Sequence, residues 1–160
     1  MNQARFKDGW AEFEQGKDAM MARFTKDGKV KPETLPSTLQ RSDEKAQATF
    51  AATLDSAEEQ YGDGARARRT AFASLKHGFE KVGDHWEPKK EKGPSDEQAA
   101  GGGAEAKPTA GGVDANASKQ HLYDLAKKLD VPGRSSMSKD ELVEALQEAN
   151  NRETRKSREQ

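Results

Sequence analysis

Residues 42–61, SDEKAQATFAATLDSAEEQY, decide how this chain is read. Ala46, Phe50, Leu54, Ala57 and Tyr61 recur at spacings of four, four, three and four, which puts them on one face of a helix. Ser42 is the expected N-cap, with Asp43 and Glu44 placed well for the first turn's partial positive charge. Gly62 and Gly64 end that helix. A second stripe, Arg68, Ala71, Phe72, Leu75, Phe79 and Val82, predicts a second helix that Gly83 closes. The leucines of Leu35-Pro36-Ser37-Thr38-Leu39 cover the pair, and Trp86 completes a small antiparallel helical block over 35–92.

Toward the C-terminus, residues 93–117 hold Gly101-Gly102-Gly103, Gly111-Gly112, Pro94 and Pro108, without Leu, Ile or an aromatic residue. By composition this stretch is a flexible linker, because it has too little apolar surface to offset its ordering entropy. Its glycines lack the preceding apolar strand and the spacing of a phosphate-binding loop. Beyond it, Leu122, Leu125, Ala126 and Leu129 form a helical stripe behind Ser118, an expected N-cap. Pro132 biases Val131 away from the helical region and stops that helix. Ser138-Lys139-Asp140-Glu141 fits a capping box and opens a second helix carrying Leu142, Val143 and Leu146. The unit at 118–149 is thus helix, extended loop, helix, and so short a unit ordinarily needs a partner or a staple. The tail at 150–160, four basic groups against two acidic, is expected to fray. At the other end, 1–34 is an extension, partly disordered or amphipathic. Phe6, Trp10, Phe13, Met20 and Phe24 share a face there, while Gly9 and Gly16 weaken any helix.

The whole chain is 160 residues, 32% hydrophobic and 34% charged, with a net charge of -1. That composition excludes a large enclosed core across the full length. No run approaches the roughly 18–20 apolar residues of a membrane span, and no secretory leader is evident. With no cysteine there is no disulfide, thiolate metal site or cysteine nucleophile. The expectation is a cytoplasmic, all-α, non-enzymatic protein with no metal, cofactor or small-molecule substrate. His77 and His85 lie eight apart across a glycine, which is no helical metal spacing. The Ser135, Ser136 and Ser138 cluster belongs to a loop and a cap, and no base stands near to activate it. Arg66, Arg68 and Arg69 fit a salt-bridged solvent face better than a nucleic-acid contact.

Two resemblances add to this reading. Leu35-Pro36, Ala46-Gln47, Ala57 with Tyr61, Lys76-His77 with Phe79-Glu80-Lys81, and Gly83-Asp84 with Trp86 resemble the ChaB family, named for cation transport regulation. That likeness implies a small, mostly helical, non-enzymatic domain in which Tyr61, His77, Phe79 and Trp86 are structural motif positions. His121-Leu122-Tyr123-Asp124-Leu125-Ala126-Lys127-Lys128-Leu129, Val131-Pro132-Gly133-Arg134-Ser135 and Met137-Ser138-Lys139-Asp140-Glu141-Leu142 resemble the N-terminal module of transcription termination factor Rho, itself similar to SAP-type folds. The resemblance implies association with nucleic acid. Lys127, Lys128, Arg134 and Lys139 would ring the loop and helix ends as phosphate contacts, and Arg152, Arg155 and Lys156 would add a mobile positive tail. Asp124, Asp130, Asp140 and Glu144 dilute that patch. The alternative is a protein-binding regulator of a cation/proton antiporter acting through the central block.

Overall fold

The computed structural model describes residues 23–160; the stripe from Phe6 to Met20 lies outside the described residues. A one-turn helix, α1 (Ser37–Gln40), leads into α2 (Glu44–Tyr61), and α3 (Ala65–Gly78) folds back against α2. The predicted face of α2 is buried at Ala46, Phe50, Leu54 and Ala57. Its cap is Asp43 rather than Ser42: the carboxylate accepts from the Ala46 N–H at 2.9 Å. Ser42 is thereby free to donate to the Thr38 carbonyl and to accept from the Trp86 N–H, both at 2.8 Å.

The second stripe is where the structure departs from the all-α expectation. Helix α3 ends at Gly78, and β1 (Phe79–Val82) pairs antiparallel with β2 (His85–Pro88), Val82 opposite His85. The fold is mostly helical with a two-stranded sheet. Gly83 is therefore no helix cap. It occupies the first of two turn positions with φ +68°, a left-handed conformation that two-residue hairpin loops require. Phe79 and Trp86 are both buried. Phe72 lies between two aromatic rings, 4.9 Å from Phe50 and 6.2 Å from Trp86 by centroid. Residues 23–34 also belong to this unit rather than to a loose extension. Phe24 and Val30 bridge and pack on its core, and Arg23 ion-pairs with Asp55 and Glu58.

Residues 93–117, where composition predicts a flexible linker, form a strap that packs on both units. The strap contains the one-turn helix α4 (Glu97–Ala100) and buries Ser95, Ala99, Ala110 and Val113. Polar contacts with the first unit supply what apolar surface does not: Lys76 Nζ meets Asp96 at 3.0 Å and Lys89 Nζ meets Asp114 at 3.2 Å. The exposed β1 backbone is partly covered too, since the Lys81 N–H donates to the Gly112 carbonyl at 2.8 Å. A Cβ on Gly112 would lie 2.8 Å from both Lys81 Cβ and Trp86 Cη2, on a backbone with φ +97°. Gly112→Ala should therefore cost about 1–3 kcal/mol from overpacking and left-handed strain. A thermal melt indistinguishable from the parent's would show that the strap is not packed there.

The C-terminal unit follows its punctuation closely. Ser118 caps α5 (Lys119–Lys128) by accepting from the His121 N–H at 3.1 Å. Ser138 caps α6 (Lys139–Glu159) through the Glu141 N–H at 3.2 Å. Leu122, Ala126, Val131, Leu142 and Leu146 form its core, and the strap's Ala110 and Val113 complete it. So the missing staple is the strap, together with the first unit. The tail does not fray, because α6 continues to Glu159 and buries Asn150 and Thr154. Asn150 and Thr154 dock on the hairpin turn, with the Gly83 N–H donating to Asn150 Oδ1 at 2.7 Å and Asn150 Nδ2 donating to the Lys81 carbonyl at 3.0 Å.

Candidate functional site

The expected basic residues are dispersed by the fold, and they differ in how free they are. Lys127 is exposed on the last turn of α5. Its neighbour Lys128 is also exposed, but its ammonium is 3.0 Å from Glu87 on β2, so it ties the two units together. Arg134 does not face outward as a free phosphate contact. One guanidinium nitrogen donates to the Val131 carbonyl at 3.0 Å, the group lies 5.9 Å from the Tyr123 ring centroid, and Nε is enclosed. Its chemistry is to brace the loop. Lys139 is half-buried at the first position of α6. Arg152, Arg155 and Lys156 are exposed on the last turns of that helix, with Arg152 and Lys156 flanking Glu153.

These positions fall into two groups. Arg134 and Lys139 sit at the loop end of the unit. Arg152 is about 20 Å further along α6, at 1.5 Å per residue. The C-terminus of α5 comes to the same hairpin turn as this second group: a Cβ on Gly83 would touch both Leu129 and Glu153. Lys127, Arg152, Arg155 and Lys156 are therefore the more open basic set.

The motif positions of the central block also separate. Phe79 and Trp86 are core residues, and Trp86 Nε1 donates to Thr38 Oγ1 at 3.3 Å. Tyr61 is 40% exposed, with the Arg66 guanidinium 3.8 Å above its ring. His77 is exposed and reaches the Ala99 carbonyl of the strap at 3.3 Å. Arg69 donates to the Gly103 carbonyl at 3.1 Å, another strap contact.

Sequence reasoning missed the ionic groups at the junction of the two units. Glu80 is almost closed to solvent, and its carboxylate meets His121 Nε2 at 2.8 Å. Partial burial works against a charged His85, but Asp84 at 3.0 Å and Glu87 at 2.9 Å more than offset it and raise its pKa above the ordinary histidine range. An open cleft of about 540 Å3 is lined by Glu80, Lys89, Asp114, His121 and Asp124 among others. Its buried charges are mutually paired, Glu80 with His121 and Lys89 with Asp114. Among the described residues no group of three His, Asp or Glu side chains is placed to hold a metal. No helix among them is long and apolar enough to cross a membrane.

The chain thus combines a helical hairpin, followed by a two-stranded sheet with a Gly83-Asp84 turn, with a capped helix–loop–helix. Residues 35–89 match the ChaB family model. Residues 119–153 match the model of the Rho termination factor, N-terminal domain. No curated protein and no solved structure matches the chain. The strap falls between the two matches, while both lysines that anchor it, Lys76 and Lys89, lie inside the ChaB match. The Rho-type match runs on to residue 153, so it takes in Asn150 and stops just short of Thr154 and Ser157, the other residues docked on the turn.

Proposed function

We propose that the protein is a non-enzymatic regulator whose Rho-type module contacts nucleic acid, held against the ChaB-like unit as a platform. The observation that carries this reading is the match over 119–153, on a unit that exposes Lys127, Arg152, Arg155 and Lys156. Phosphate contacts from such a surface give affinity and position rather than sequence preference. The balanced charge of the module suits weak, strongly salt-dependent binding.

Fluorescence anisotropy of the full chain with a DNA duplex and a single-stranded RNA, across a salt series, tests it. Binding should weaken steeply with salt. Arg152→Ala with Arg155→Ala should flatten the log–log slope on duplex DNA by about two. Absence of salt-sensitive binding even at low ionic strength would sink this reading and favour a protein-binding role for the ChaB-like unit, such as regulation of a cation/proton antiporter.

A further inference from the structure

At the hairpin turn Arg41 pairs with the Asp84 carboxylate, and two further basic side chains, Lys81 of β1 and Arg158 of α6, stand close enough to feel the same charges. Arg41, just after α1, has its Nε 3.2 Å from both the carbonyl and Oδ2 of Asp84. Ser157 of α6 donates to that same carboxylate. Next to it in sequence, Arg158 reaches back to Ser37 Oγ at 3.4 Å. Lys81 is the cross-strand partner of Trp86, so the two side chains share a face of the hairpin. That face is the one α1 covers, since Trp86 Nε1 donates to Thr38 Oγ1. Lys81 is half-buried, and its ammonium makes no hydrogen bond or ion pair among the described residues.

Asp84 already pairs with Arg41 and His85, and neither Lys81 nor Arg158 has a carboxylate partner of its own among the described residues. Burial, then the charges of Arg158 and Arg41, hold the Lys81 ammonium below the usual lysine range despite the pull of Asp84. A half-buried, unpaired ammonium beside two guanidinium groups is costly unless an anion shares the site. Arg155 stands one turn back on α6 beside Arg158 and extends the positive surface.

We propose that Arg41, Lys81 and Arg158 form a binding site for a phosphate group, assembled across the two units only when α6 is docked on the hairpin. Arg41 and Lys81 come from the ChaB-like match, and Arg158 from the helix that the Rho-type module extends. The phosphate belongs either to a nucleic-acid backbone or to a small phosphorylated molecule. Undocking α6 would take one of the three cations away, so occupancy and docking favour one another.

The test is the melting temperature of the full chain in inorganic phosphate against sodium chloride at matched ionic strength. Phosphate should raise it by a few degrees more than chloride does. Lys81→Met and Arg158→Gln should each remove most of that increment, while Lys26→Met, in the exposed turn between Phe24 and Val30, keeps it. Circular dichroism of each variant establishes that it is folded. An increment equal in the parent, Lys81→Met and Arg158→Gln is a general salt effect and overturns the proposal. The duplex and the RNA then separate the two sources. A salt slope flattened by about two in the Lys81→Met, Arg158→Gln double variant on the duplex puts the nucleic-acid backbone in this site. A phosphate increment without any nucleic-acid binding supports the site for a small phosphorylated molecule and fails only the nucleic-acid reading.

Discussion

Replacing Asp96 by alanine should destabilise the protein by about 3–5 kcal/mol, the cost of breaking a buried ion pair on one side only. The Asp96 side chain is 5% exposed and Lys76 is 7% exposed. One oxygen accepts from Lys76 Nζ at 3.0 Å, Thr109 Oγ1 at 3.0 Å and the Ala110 N–H at 2.9 Å, while the other accepts from the Ala99 N–H at 2.8 Å. Alanine would leave the Lys76 ammonium with Thr109 Oγ1, at 2.7 Å, and no counter-charge. It would also uncap α4. Urea unfolding followed by circular dichroism measures the loss. A midpoint within error of the parent's would mean that the strap adds nothing to stability.

The same carboxylate sets an acid-side dependence. Burial opposes its ionisation, but the Ala110 and Ala99 N–H groups and the Lys76 ammonium more than offset that and hold Asp96 below the usual carboxylate range. A depressed folded pKa means that the unfolded chain binds the proton more readily. The stabilisation is therefore complete above the unfolded value of about 3.9 and is lost as pH falls through the lower folded value. Asp96→Asn should make the stability curve shallower between pH 5 and 2, an interval in which other carboxylates still contribute.

How far the sequence reaches follows from what each element rests on. The α2 face, the Ser118 and Ser138 caps and the Pro132 stop were legible because each depends on neighbours a few residues away. The hairpin was not, since the three-residue step from Phe79 to Val82 suits a helix face and Gly83 suits either a helix cap or a turn. The strap escaped composition altogether: it is ordered by Lys76 and Lys89, whose partners lie 20 and 25 positions away, and by buried Ser95 and Gln98. An argument from apolar content counts only a segment's own surface and misses hydrogen bonds offered by another unit. The candidate site was half legible. Lys127, Arg152, Arg155 and Lys156 are exposed, whereas Arg134 and Lys128 are engaged by groups the sequence does not show to be near. One signal was present and unread: Asn150, Thr154 and Ser157 continue the Leu142–Leu146 face at spacings of four and three, a small polar stripe suited to a backbone turn.

That stripe carries the second large effect. Asn150 is 1% exposed, and its amide satisfies the Gly83 N–H and the Lys81 carbonyl together. Asn150→Ala would remove both partners and leave two backbone groups at the junction without them, at about 1–3 kcal/mol for each group that water cannot reach. A total of about 2–6 kcal/mol is expected, and it should fall on the coupling between the units. The parent should unfold in urea as one transition, with Trp86 fluorescence in a Trp10→Phe background coinciding with far-ultraviolet circular dichroism. In Asn150→Ala the helices of the Rho-type module should melt earlier, so that the circular dichroism midpoint precedes the Trp86 midpoint. His121 with Glu80 and Lys128 with Glu87 remain as bridges in that variant and limit how far the two curves separate. Coincident curves with an unchanged midpoint would mean that α6 rests on the hairpin without holding it. In that case the ChaB-like unit would not act as a platform for the module.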